Sequence, residues 1–70
     1  MKMDNKTIKA TLTKWAKKNF QGAESIKVIH NEFGDWNVEV DWDGGYFVEI
    51  HSYAYQNGKF RSLGITEITY

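Results

Sequence analysis

Trp36, Val38, Val40 and Trp42 alternate with Asn37, Glu39 and Asp41, and after Asp43-Gly44-Gly45 the alternation resumes at Tyr46, Val48 and Ile50. Side chains along a strand have a period of two, so this stretch predicts two strands joined by a tight turn, each with one apolar edge. The turn decides which residues share a face, because opposed residues of an antiparallel pair lie on the same side of the sheet. A two-residue Gly44-Gly45 loop opposes Val40 to Glu49, and a two-residue Asp43-Gly44 loop opposes Val38 to Glu49. A three-residue Asp43-Gly44-Gly45 loop opposes Trp42 to Tyr46, Val40 to Val48 and Val38 to Ile50. That register keeps the apolar set together and suits a type I turn ending in a left-handed glycine, so it is the one expected.

Upstream the period changes from two to nearly four. Ile8, Leu12, Trp15 and Ala16 recur on one helical face with Phe20 at its margin, predicting an amphipathic helix over residues 5–20. Asp4 or Asn5 can cap its start, and Gly22 can stop it in a left-handed conformation. Residues 25–32 predict the first strand. A Phe33-Gly34-Asp35 loop opposes Val28 to Val40, Ile26 to Trp42 and Lys27 to Asp41. A Gly34-Asp35 loop opposes Ile29 to Val40 and turns His30 outward, at the expense of burying Lys27 opposite Trp42; the first register is preferred. Downstream, Asn57-Gly58 is a strong two-residue hairpin signal. It opposes Tyr55 to Phe60, Tyr53 to Ser62, Ser52 to Leu63 and Ile50 to Ile65, with Gly64 marking a bulge.

The expected architecture is a single α+β domain over residues 1–70. One N-terminal helix packs on one face of a four-stranded antiparallel meander, covering Trp36, Val38, Val40, Trp42, Tyr46, Val48, Ile50, Leu63 and Ile65. At 70 residues and 41% hydrophobic, the chain has room for one modest core. It has no cysteine, which excludes disulfides and thiolate metal sites and is compatible with a cytoplasmic location. No apolar run has the length of a signal peptide or a membrane span, so no membrane role is expected.

Net charge is zero but unevenly divided. Residues 1–20 carry six lysines and one aspartate, hence +5; the remaining fifty carry three basic residues and eight carboxylates, hence −5. A basic helix attracting an acidic sheet within one domain accounts for this. Lys14, Lys17 and Lys18 also sit where the helix dipole favours cations. The functional alternative is a nucleic-acid surface formed by Lys6, Lys14, Lys17 and Lys18.

One helix covers one face of the sheet. In the expected registers the other face displays Phe47, Glu49, His51, Tyr53, Tyr55, Phe60 and Ile68, with Glu39 and Asp41 beside them and Tyr70 at the end. Exposed aromatic clusters of this kind mark interaction surfaces. Glu39 opposed to Glu49 would repel, which calls for a basic neighbour or a cation. Nucleic-acid stacking on this face is opposed by its carboxylates. A metal site from His30, Glu39, Glu49 and His51 needs the less favoured first turn, so no metal and no cofactor is expected. Glu49 and His51 could form an acid–base couple, but a flat sheet offers no cleft and no activated nucleophile, so no enzyme activity is expected.

These features predict a non-enzymatic protein-interaction module, an inhibitor or adaptor. Its partner-binding residues would be Glu39, Phe47, Glu49, His51, Tyr53, Tyr55 and Phe60, and the alternative is a homodimer that buries the same face. In size, aromatic hairpins and lack of catalytic signatures the chain resembles, in general character only, the short accessory proteins of phages and other mobile elements. No residue motif carries that likeness.

Overall fold

The computed structural model describes residues 4–70. Helix α1 (Asn5–Asn19) is followed by strands β1 (Ser25–His30), β2 (Trp36–Asp41), β3 (Val48–Gln56) and β4 (Lys59–Thr69). The strands form one antiparallel sheet in the order β1-β2-β3-β4, a helix-plus-meander α+β fold as the sequence predicts. None of the described helical residues forms a helix long and apolar enough to cross a membrane.

Helix α1 begins where the Asp4 carboxylate accepts a 2.8 Å hydrogen bond from the Thr7 amide. That bond satisfies one of the orphan donors of the first turn. The Thr7 backbone bond, with a side-chain bond to Thr7 adding to it, holds the Asp4 carboxyl below its ordinary value of 3.8. A depressed folded-state value means the capping stabilisation is complete above the unfolded pKa and is lost as pH falls through the folded one. Thermal melts followed by circular dichroism should therefore show a loss of stability below about pH 4 that shrinks in Asp4→Ala.

The helix ends at Phe20, whose amide donates to the Ala16 carbonyl, and the chain turns away through Gly22 at φ +94°. Ile8, Leu12 and Ala16 pack into a core with Val28, Trp36, Val38, Val40 and Tyr53. Trp36, Val38 and Val40 meet the expectation for the helix-facing side of β2, and Trp42 packs partly against the same cluster.

Two of the three turns differ from the expected ones. Between β1 and β2 the partners are Val28 with Val38 and Ile26 with Val40, a register two residues from the preferred one. A shift of two preserves the face, so Ile26 and Val28 still point inward, and His30 stacks on Trp36 at 4.4 Å. The cause is Asn31, whose Oδ1 accepts from the amides of Phe33 (3.0 Å) and Asp35 (2.9 Å) and holds a five-residue loop, 31–35.

Between β2 and β3 the shift is one residue, and its effect is opposite. Val40 pairs with Glu49, Val38 with His51 and Trp36 with Tyr53. The Trp42 amide donates to the Phe47 carbonyl and the Tyr46 amide to the Asp43 carbonyl, both at 2.8 Å, so the turn is the two-residue Gly44-Gly45 alternative. Asp41 Oδ1 accepts from Asp43 (3.1 Å) and Gly45 (2.9 Å), and Gly44 and Gly45 both take positive φ. A one-residue slip exchanges the two faces of a strand. Val48 and Ile50 therefore lie on the side away from the helix, while Tyr46, expected in the core, is 77% exposed in the loop.

The third turn is as the sequence predicts. Asn57 and Gly58, at φ 53° and 76°, join Gln56 to Lys59, with Tyr55 opposite Phe60 and Tyr53 opposite Ser62. Beyond Ser62 the ladder slips twice, so Ser52 meets Gly64 rather than Leu63 and Ile50 meets Glu67 rather than Ile65. Gly64, at φ +94°, lies between the two irregularities, in the bulge role expected of it.

Candidate functional site

The exchange of faces in β3 relocates the expected site. Glu49, His51, Tyr53 and Tyr55 share the side of Val40, Val38 and Trp36, beneath or beside the helix. Phe60 pairs with Tyr55 on that side, and Phe47 reaches it opposite Trp42. The open aromatic–acidic face expected away from the helix is thus absent from that position. Tyr53 is buried and meets the Trp15 ring edge-on at 5.4 Å; Tyr55 and Phe60 are partly buried, with rings 4.9 Å apart. Phe47 stays 38% exposed, with its ring 5.7 Å from that of Tyr70.

Glu39 is separated from the others. It lies on the far side of the sheet between Lys27 and Ile50, so the repulsion expected with Glu49 does not arise. Glu49 instead accepts a 2.8 Å hydrogen bond from Trp42 Nε1, and His51 Nε2 lies 3.5 Å from the same oxygen. The Phe20 ring covers the imidazole at 4.8 Å, leaving Nε2 buried without a hydrogen-bond partner. The couple is thus tied into the packing under the helix C-terminus. Among the described residues no three His, Cys, Asp or Glu side chains gather as a metal-binding group.

The face away from the helix carries a polar chain in place of rings. Asn37 Oδ1 accepts from Asn31 (3.0 Å) and from the Ser52 hydroxyl (2.8 Å), and Ser52 meets Thr66 at 3.2 Å. On the solvent side of α1, Lys6, Lys9, Lys14 and Lys17 border a shallow surface with Ala10 and Thr13, and Lys18 is exposed. Among the described residues no lysine or arginine forms an ion pair with a carboxylate, so the lysines and the sheet carboxylates do not meet in direct contact.

The feature that the sequence does not announce is a groove of about 370 Å³ between α1 and the β3–β4 hairpin. Leu12, Trp15, Tyr53 and Phe60 make it apolar, and Thr11 and Ser62 add hydroxyls. It exists because α1 packs closest to β1 and leaves the helix side of β4 uncovered. Ile65, opposite His51, and Ile68, opposite Glu49, continue the apolar margin on that side at 46% and 43% exposure. Trp15 stands 42% exposed on the opposing wall. The available signal was length: β4 is predicted to continue to about Thr69, well past what one helix lying along β1 can cover. No family model matches this chain, and no similar curated protein or solved structure was found.

Proposed function

We propose that this chain is a non-enzymatic protein-interaction module, acting in the cytoplasm as an inhibitor or adaptor. Its binding surface is the apolar groove between α1 and β4. The observation that carries this reading is the apolar groove lined by Leu12, Trp15, Tyr53 and Phe60, with Trp15 itself 42% exposed. Single exposed apolar residues are ordinary, but apolar side chains gathered in one groove are characteristic of binding surfaces. The groove lining has no charged side chain, so it favours an aliphatic or aromatic anchor on the partner. Lys17 and Lys18 lie in the last turn of α1, where the helix dipole accounts for them.

Ser62 is exposed at the groove wall, and Ser62→Trp would fill the space without touching the core. Peptides selected for binding from a random displayed library should contain an apolar anchor. They should lose about tenfold or more in affinity for Ser62→Trp, read by fluorescence anisotropy. Lys14→Glu, on the solvent side of the helix, should leave affinity unchanged. A selection returning only peptides indifferent to Ser62→Trp overturns this reading.

A further inference from the structure

β4 is a free edge. It ends the strand order, runs for eleven residues, and is exposed at every position except Phe60. An edge strand presents unpaired backbone donors and acceptors along its length and is a template for another strand. β1, the other edge, has only six residues.

The sequence of β4 is complementary to itself. Laid antiparallel on a second β4 about Gly64, Phe60 meets Ile68, Arg61 meets Glu67, Ser62 meets Thr66 and Leu63 meets Ile65. Phe60 with Ile68 is an apolar pair and Arg61 with Glu67 an ion pair, and two-fold symmetry duplicates both, while Lys59 falls opposite Thr69. The faces agree at these two pairs, whereas Ser62, opposite Tyr53, and Thr66, bonded to Ser52, lie on opposite sides of the sheet. Arg61 and Glu67 oppose Ala54 and Ile50 on the side away from the helix, and Phe60 and Ile68 oppose Tyr55 and Glu49 on the helix side. The two slips of the β3–β4 ladder bracket Gly64, so they bend the middle of the strand and restore the same facing in both flanks. Charges on an edge ordinarily deter pairing. Here they deter every partner except one carrying the opposite order, which a second copy supplies.

We infer that β4 is a self-association edge: two copies pair β4 to β4 antiparallel about Gly64, giving a continuous eight-stranded sheet with both helices on one side. This specifies the partner for the β4 margin proposed above and rests on that margin being a binding surface. The two grooves then open onto a shared trough, with Ile65 and Ile68 of both copies between them.

The test is sedimentation equilibrium of the full chain across a concentration series, with circular dichroism as the check on folding. The wild type should dimerise. Arg61→Glu alone places carboxylates opposite one another at both ends of the pair, and Glu67→Arg alone does the same with cations. Each should raise the dimer dissociation constant by about tenfold or more. Both positions are exposed, so the fold is expected to survive. An equimolar mixture of the two single variants should dimerise again, because each chain then supplies what the other lacks, and the double exchange in one chain should also recover the dimer. A wild type that stays monomeric at millimolar concentration overturns the self-association, as does a dimer indifferent to both single exchanges. Neither result touches the groove, whose peptide binding and sensitivity to Ser62→Trp are read separately.

Discussion

Tyr53→Ser is expected to remove about 3–5 kcal/mol of stability, whereas Ile50→Thr, three residues away in the same strand, should cost about 1 kcal/mol or less. The difference comes from the face each residue occupies. Tyr53 is 8% exposed, packed in the core with Trp36 as its strand partner and the Trp15 ring at 5.4 Å. Removing a buried aromatic ring typically costs about 3–5 kcal/mol. A chain of this length has only about 4–10 kcal/mol of total stability at about 0.05–0.15 kcal/mol per residue. Ile50 faces away from the helix, between Glu39 and Glu67. Urea denaturation followed by far-ultraviolet circular dichroism gives both costs directly. In the register that keeps Ile50 inside, the ranking would be reversed, so the pair of variants tests which face of β3 is buried. Alkaline titration gives a second readout. Burial pushes the Tyr53 phenol above its ordinary value of 10.0. Its contribution is therefore complete below the unfolded pKa and lost as pH rises through the folded one, so an alkaline loss of stability should begin above about pH 10.

Leu12→Ala is the second large effect. Leu12 is 1% exposed and sits at the centre of the helix stripe between Ile8 and Ala16. Truncating it removes transfer free energy and leaves a cavity, together about 2–5 kcal/mol. Leu12→Met, which conserves volume, should cost less than about 1.5 kcal/mol. The urea midpoints of the two variants check this. Leu12 also forms part of the groove, so the alanine variant should deepen the groove as it weakens the fold.

The helix, its cap, the strand count and the Asn57-Gly58 hairpin are all legible from local patterns, because each is determined by residues within a few positions of one another. The faces were harder to read. Asn31 and Asp41 play the same part: each side-chain oxygen accepts from the amides two and four residues ahead and holds the loop it opens. At the second loop the observed register is that of the two-residue Gly44-Gly45 turn, set aside because the three-residue loop kept the apolar residues together. At the first loop the error was two residues and the facing survived. At the second it was one, and every residue of β3 changed sides. The apolar pattern did not prevent this because β3 is ambiguous. Val48 and Ile50 argue for one face, and Tyr53 and Tyr55 argue for the other. The rings fill the space beneath the helix, Glu49 finds the Trp42 indole, and the small Ser52 and Ala54 go outward. The candidate residues were correctly associated with one another apart from Glu39, and the side of the sheet was wrong. The groove depends on how far a helix reaches across a twisted sheet, which no local pattern encodes.

The amide and hydroxyl chain through Asn31, Asn37, Ser52 and Thr66 bears on how these molecules behave when crowded. Layered assemblies, from β-sandwiches to the dry zippers of amyloid, need two flat faces whose side chains interdigitate without water. Here the open face has hydrogen-bonding groups committed to one another across three strands and the first loop. Stacking a second sheet on it would dehydrate that chain and return little apolar contact. The surface is therefore closed to growth by layering, and a concentrated solution can extend this sheet only sideways, along its strand edges.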